Sequence, residues 1–215
     1  NPLTRYMGAE PVFIGCNDSW CIDPEAVEDF CANHCTLKED GLYNNRTGAK
    51  VAALEVVHVF GNMADMPRLL EIAKKYRLTL IEDATEALGT KYVSGPLAGK
   101  FAGTMGNKII TTGAGGMLVS NHPDWAEHAK HLSTQAKSDL LQFFHDEVGY
   151  NYRMTNVQAC LGLAQLERLE GFIQTKIARY NQYKDALDGY HGLRILPFKT
   201  EAEGVRSNHW FYSLY

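Results

Sequence analysis

Residues 51–83 read VAALEVVHVFGNMADMPRLLEIAKKYRLTLIED, and this stretch decides the fold. Val51 to Phe60 is rich in β-branched and apolar side chains and reads as a strand, with His58 near its end and Gly61-Asn62 after it. Asp65 caps a helix in which Leu69, Ile72, Ala73 and Tyr76 fall on one face at i, i+3, i+4, i+7 spacing. Leu78 to Ile81 is a short buried strand, and Glu82-Asp83 sits at its carboxyl end. Strand, helix and strand with short connections make the repeating unit of an α/β fold, a mainly parallel sheet covered by helices.

The alternation continues on both sides. Glu10 to Ile14 reads as a strand, and Asp23-Pro24 opens a helix that runs to about Cys35, with a capping side chain before proline at the first helical position. Lys38 to Lys50, with Gly41, Asn44, Asn45 and Gly48, is a polar surface excursion with hairpin character. Further on, Ile109-Ile110-Thr111-Thr112 and Gly116 to Ser120 flank a glycine-rich turn, and Pro123 opens a helix reaching Lys137. Thr155 to Leu187 is helical with a bend near Gly171, while Leu193 to Phe198 and Trp210 to Tyr215 read as strands of a second unit. The expected organisation is a large domain over 1–154, a helical connection over 155–190 and the start of a smaller domain over 191–215.

The chain has 215 residues, 45% hydrophobic and 21% charged, with a formal net charge of −4. That balance suits a folded domain with a core and gives no basic stripe for nucleic acid. No run approaches the roughly 20 apolar residues that span a bilayer, and Asn1 to Arg5 lacks a signal-peptide layout. Absence of an initiator Met suggests numbering that opens inside a longer protein. Cys16, Cys21, Cys31 and Cys35 crowd together, but no Cys-x2-Cys pair occurs and a helix start lies between the two pairs. With Cys160 they read as reduced thiols, ahead of metal ligands or disulfides, which points to a cytoplasmic setting.

Asp83 has the address at which α/β sheets place their ligand crevice, although an acid there also serves as a helix cap. Lys108, in Gly106-Asn107-Lys108-Ile109-Ile110-Thr111-Thr112-Gly113-Ala114-Gly115-Gly116, has small and apolar neighbours, a setting in which lysine can act as an amine nucleophile. An exposed loop lysine is the ordinary alternative. A P-loop is excluded because Ile109 follows Lys108, and Gly113-x-Gly115 falls short of the dinucleotide fingerprint. His145 to Met154 is dense in polar groups just before an apolar-faced helix, which by itself describes a helix-entry loop.

Taken together, four ordered stretches resemble the DegT/DnrJ/StrS-type family of pyridoxal-phosphate (PLP) sugar-nucleotide aminotransferases. They are His58 to Met66, Ile81 to Ala87, Gly106 to Gly116 and His145 to Arg153, within a similarity that covers most of residues 8–190. The resemblance implies a fold-type I architecture, with a seven-stranded large domain, a smaller C-terminal α+β domain and a homodimer sharing its active sites. It implies Asp83 as partner of the cofactor ring nitrogen, Glu86 near the 3-hydroxyl and Lys108 as the Schiff-base lysine that also shuttles the substrate proton. Asn151 matches the asparagine that reaches the neighbouring subunit's cofactor phosphate. His145, Tyr152, Arg153 and His58 are near-site residues by the same resemblance. The surroundings of Lys108 and Ser133 to Lys137 look like the branch that aminates a 4-keto-6-deoxy-HexNAc nucleotide for bacterial surface sugars, with L-glutamate as donor. No metal is expected at this site.

Two departures stand against the family pattern. A Gly-Asp-Ile-Gly-x-x-Ser-Phe strand normally precedes the lysine, whereas here Thr104-Met105 runs directly into Gly106-Asn107. A true deletion would unpair a central sheet at about 1–3 kcal/mol per orphaned group, so an omitted segment is the preferred reading. The family's N-terminal phosphate-cradling portion is also missing. A non-catalytic relative with a binding or regulatory role therefore stays open, while a PLP dehydratase is disfavoured by Lys108 and a nicotinamide dehydrogenase by the glycine spacing.

Overall fold

The computed structural model describes residues 5–102, 108–139 and 141–215. Its kernel is the strand–helix–strand unit expected over 51–83, except that the second strand, read as buried, is mostly exposed, with Ile81 51% accessible. Strand β4 (Ala53–Val57) and strand β5 (Thr79–Asp83) pair in parallel from Ala53↔Thr79 to Val57↔Asp83. Between them runs helix α2 (Met66–Tyr76). The Asp65 carboxylate accepts from Arg68 N–H at its start, and Arg77 closes it in the left-handed region at φ 58°. Leu69, Ile72, Ala73 and Tyr76, the face read from the spacing, are buried together with Met66.

Helix α1 (Pro24–Asn33) begins at Asp23, whose side chain accepts from Glu25 N–H, and buries Val27 and Cys31. It packs beside α2, and the two helices are laced by ionic contacts: Arg68 with Glu25, and Lys75 and Tyr76 with Glu28. Those two donors hold the Glu28 carboxyl below its ordinary range. The Lys38–Lys50 excursion is a hairpin-like antiparallel sheet of β1 (Cys35–Lys38), β2 (Gly41–Asn44) and β3 (Lys50–Val51). A small third sheet joins β6 (Lys91–Tyr92) to β7 (Val205–Arg206), which ties the C-terminal segment back to the kernel.

The remaining helices are α3 (Pro123–Ser133), α4 (Asn156–Leu166) and α5 (Leu169–Leu187). The bend in the long helical stretch falls at Glu167–Arg168, a few residues before Gly171. Helix α4 starts with a complete capping box between Thr155 and Gln158. The C-terminal strands reduce to a bridge at Ile195↔Leu214 with bonds from Arg194 N–H to Tyr215 O and from Leu196 N–H to Ser213 O.

The main core gathers Leu42, Leu54, Val56, Met63, Leu69 and Ile72. A second, smaller one joins Tyr180, Ile195 and Phe198. Among the described residues no helix is long and apolar enough to cross a membrane. All five cysteines are unpaired; burial pushes the Cys31 thiol up to about 12 and raises Cys21 and Cys35, so these three act as core side chains.

Some expected strands do not form. Residues 10–14 are irregular, with Phe13 85% exposed, and residues 109–112 and 116–120 carry no ladder, with Leu118 69% exposed. Apolar, β-prone residues make a strand only when a neighbouring edge receives their backbone groups, and here none does. Among the described residues parallel pairing is confined to β4 and β5. The junction expected to lack a strand, Thr104–Asn107, lies outside the described residues.

Candidate functional site

Parallel strands all deliver their carboxyl ends to one rim. Asp83 closes β5 there, and its carbonyl accepts from His58 N–H at 3.0 Å, which joins the ends of β4 and β5. The Asp83 carboxylate is partly exposed and accepts from Thr85 N–H at 3.1 Å, shaping the turn that follows. That turn brings Glu86 back over the rim, where its Oε2 accepts from Phe60 N–H at 2.7 Å. Phe60 adopts φ 57°, a left-handed conformation costly for an aromatic residue, and the carboxylate pins it there.

Lys108 arrives at the same place from a distant part of the chain. Its Nζ lies 3.6 Å from Glu86 Oε1 and 4.4 Å above the Trp210 ring. About a quarter of the side chain is exposed. An ion pair on one side and an aromatic face on the other hold the amine at the rim. Trp210 belongs to an aromatic group with Phe60, Phe211 and, through Phe60, Trp20.

Behind this rim Asn208 is fully buried. Its amide donates to the carbonyls of Glu86 and Leu88 at 2.9 Å each, and its Oδ1 accepts from Trp210 N–H at 2.9 Å. Its own N–H donates to Thr90 Oγ1, which donates to Gly61 O. One side chain therefore fixes the turn bearing Glu86 and the residue beneath Lys108. Gly61 has to be glycine here: φ is +98°, and a Cβ would lie 1.8 Å from Asn208 Oδ1.

His58 is fully buried with both ring nitrogens engaged. Nδ1 accepts from Ala64 N–H at 3.1 Å, so Nε2 carries the proton and donates to Glu82 at 3.0 Å. It ties the end of β4 to the end of β5.

Asn151, Tyr152 and Arg153 lie together elsewhere. They line an open cleft of about 720 Å³ with Gly115, Leu118 and Lys130, and none of Asp83, Glu86 and Lys108 lines it. Arg153 Nε donates to Asn151 Oδ1 at 3.3 Å, and Tyr150 stacks on Tyr152 at 5.3 Å between ring centroids. His145 is exposed, with Nδ1 2.6 Å from Gln135 O. The structure thus brings Asp83, Glu86 and Lys108 to one rim and sets the His145–Arg153 segment apart. Sequence reasoning missed Trp210, Phe60 and Asn208 as rim residues; only Lys108's small-residue setting hinted that something packs around it.

The whole chain matches known proteins. The profile of the DegT/DnrJ/EryC1/StrS aminotransferase family fits residues 3–215. A GDP-perosamine synthase of Escherichia coli O157:H7 is 33% identical over 98% of this chain and 53% of its own length. A UDP-4-amino-4,6-dideoxy-N-acetyl-beta-L-altrosamine transaminase of Campylobacter jejuni is 35% identical over 93% of this chain and 51% of its own length. Among solved structures, the aminotransferase TlmJ from Streptoalloteichus hindustanus superposes with a TM-score of 0.80 at 24% identity, covering 99% of this chain and 55% of that one, which shows the shared fold. The chain spans about half the length of the curated relatives it matches.

Proposed function

Because the chain belongs to the DegT/DnrJ/EryC1/StrS aminotransferase family, we propose that it carries the cofactor rim of a PLP-dependent enzyme that transfers an amino group to a keto-sugar nucleotide. The observation that carries this reading is the meeting of Lys108 with Glu86 on the carboxyl rim that Asp83 closes. The donor set suits PLP: a partly buried amine for the aldehyde, a rim carboxylate for the pyridine nitrogen and an acid beside the amine for the 3-hydroxyl. When bound, PLP supplies an electron sink for the substrate carbon.

Lys108 would hold the cofactor aldehyde and, once displaced by the amino donor, move the substrate proton on its Nζ. Asp83 would pair with the ring nitrogen and, as a carboxylate, favour its protonated form. Glu86 and Trp210 hold Lys108 at the rim between turns of that cycle. Glu82 and His58 fix the strand ends that carry Asp83. The separate placement of Asn151, Tyr152 and Arg153 supports a homodimer in which Asn151 serves the partner's cofactor phosphate and Arg153, Tyr152 and His145 face substrate.

The Campylobacter relative's name favours a 4-keto-6-deoxy-HexNAc nucleoside diphosphate as acceptor, with L-glutamate as donor, in surface-glycan biosynthesis. Activated sugars of this kind and unpaired thiols fit a cytoplasmic protein. The test uses the full-length protein loaded with PLP. Its visible absorption band should shift when glutamate is added, and borohydride should fix the cofactor to Lys108. Lys108→Ala should abolish the fixed adduct, and Asp83→Ala should lower kcat by about 10²–10³. An adduct that survives Lys108→Ala would overturn the assignment.

A further inference from the structure

We propose that His131, Asp146 and Glu147, completed by His128, form a binding site for a zinc-class divalent ion that clips the 141–151 segment to helix α3. His131 Nε2 lies 2.7 Å from Asp146 Oδ1, and His128 Nε2 lies 3.3 Å from Glu147 Oε2. One ligand atom each from His131, Asp146 and Glu147 falls within 4.8 Å of the others. Tetrahedral zinc with nitrogen and oxygen ligands places those atoms about 3.4 Å apart, so side-chain rotation draws these three together, while His128, which contacts Glu147 at the edge of the group, has to turn in as the fourth. Two histidines three residues apart stand on one side of α3, each in direct contact with one of two consecutive carboxylates of the segment.

The backbone holds this arrangement without the ion. Tyr150 N–H donates to Leu132 O, Gln135 N–H to Tyr150 O, Asp146 N–H to Ala136 O and Tyr152 N–H to Ser133 O. Bridges join Thr134 to Asn151 and Lys137 to His145. Gly149 sits so close that a Cβ would lie 2.5 Å from Ala136 N. The two imidazoles and two carboxylates are therefore presented by a fixed framework, and their partly exposed positions leave an open path for an ion.

The ordinary alternative is two independent surface ion pairs, each contributing about 0–1 kcal/mol. The two readings differ in chemistry. Ion pairs require protonated histidines and no metal. An ion site requires neutral imidazoles, and its nitrogen ligands prefer transition metals to magnesium or calcium. The ion would be structural, since the protein donates all four ligands and the segment it fixes carries Asn151, Tyr152 and Arg153. Nothing in this inference depends on the transferase reading.

The test titrates zinc sulfate calorimetrically into metal-free, untagged protein with the exposed thiols removed by Cys16→Ser and Cys160→Ser. One equivalent should bind, and saturation should raise Tm by about 4 °C or more. Second-sphere partners alone are worth about 10–100-fold in metal affinity, so His131→Gln and Asp146→Asn should each weaken zinc by at least about tenfold. Both replacements retain hydrogen-bonding groups, and far-UV circular dichroism reports that the variants fold. Cobalt(II) bound in place of zinc should give strong visible bands that disappear in His131→Gln. Absence of zinc binding, affinity unchanged in both variants, or magnesium binding as tightly as zinc would each overturn the proposal.

Discussion

Asn208 spends every polar atom of its side chain on backbone groups that have no other described partner at the rim. Replacing it with Ala would strand the buried Leu88 carbonyl, at about 1–3 kcal/mol, and leave the half-buried Glu86 carbonyl and Trp210 N–H without this partner at a smaller cost. Gly61→Ala should be severely destabilising by itself, because its Cβ meets Asn208 and its φ is positive. The Gly61→Ala/Asn208→Ala double variant should lose less than the sum of the singles, by about 0.5–3 kcal/mol of coupling in urea denaturation. Strict additivity would show that the two do not share a contact. None of this was legible in the sequence. Asp83 and Lys108 stand in stretches whose motifs single them out, while Asn208 lies between Ser207 and His209 in an unremarkable polar run and meets Glu86 from 122 residues away.

Among the elements, those built from local signals were the readable ones. Helix α2 shows its cap and its apolar face within one short window, and the structure reproduces both. Two substitutions weigh these contributions. Asp65→Ala removes a cap bond to Arg68 N–H and should cost about 1 kcal/mol. Ile72→Ala empties a fully buried position and should cost about 2–5 kcal/mol. The ranking of the two by urea denaturation checks whether packing or capping secures the helix. Strands expected at 10–14 and 116–120 failed for a different reason: a strand depends on a partner that its own sequence does not specify. The zinc-class cluster was invisible for the same reason. Its ligands come from a helix and a loop fifteen residues apart, with no spacing rule.

On the scale of the molecule, stability should be bounded on both sides of neutral pH. His209 packs between Tyr180 and Phe198 and donates from Nδ1 to Ser207 O, and burial lowers its pKa below the ordinary 6.5. The folded state resists the proton that the unfolded chain accepts, so stability falls as pH drops below about 6.5. Glu28, Glu170 and Glu203 have lowered pKa values, and their contribution is lost as pH falls below 4.5 towards their folded values. On the alkaline side Cys31 and Tyr92 are both pushed up to about 12 by burial. Their contribution is present at neutral pH, and declines as pH rises through the ordinary 9.0 and 10.0. A plot of Tm against pH should show a plateau whose first acid decline, setting in below about 6.5, is removed by His209→Phe. A first step that survives this change would assign it to another histidine.

Parallel pairing gives the β4–β5 sheet a compass as well as a shape. Both strands run towards Asp83, and both outer edges of the pair are open among the described residues. Any further strand that joins in the same sense, from this polypeptide or another, must end its run on the side where Lys108 and Glu86 meet. Whatever extends the sheet beside this rim is thereby restricted in direction before it is restricted in sequence. The exposed Val57 and Ile81 side chains mark the face on which such an addition would also gain its apolar contact.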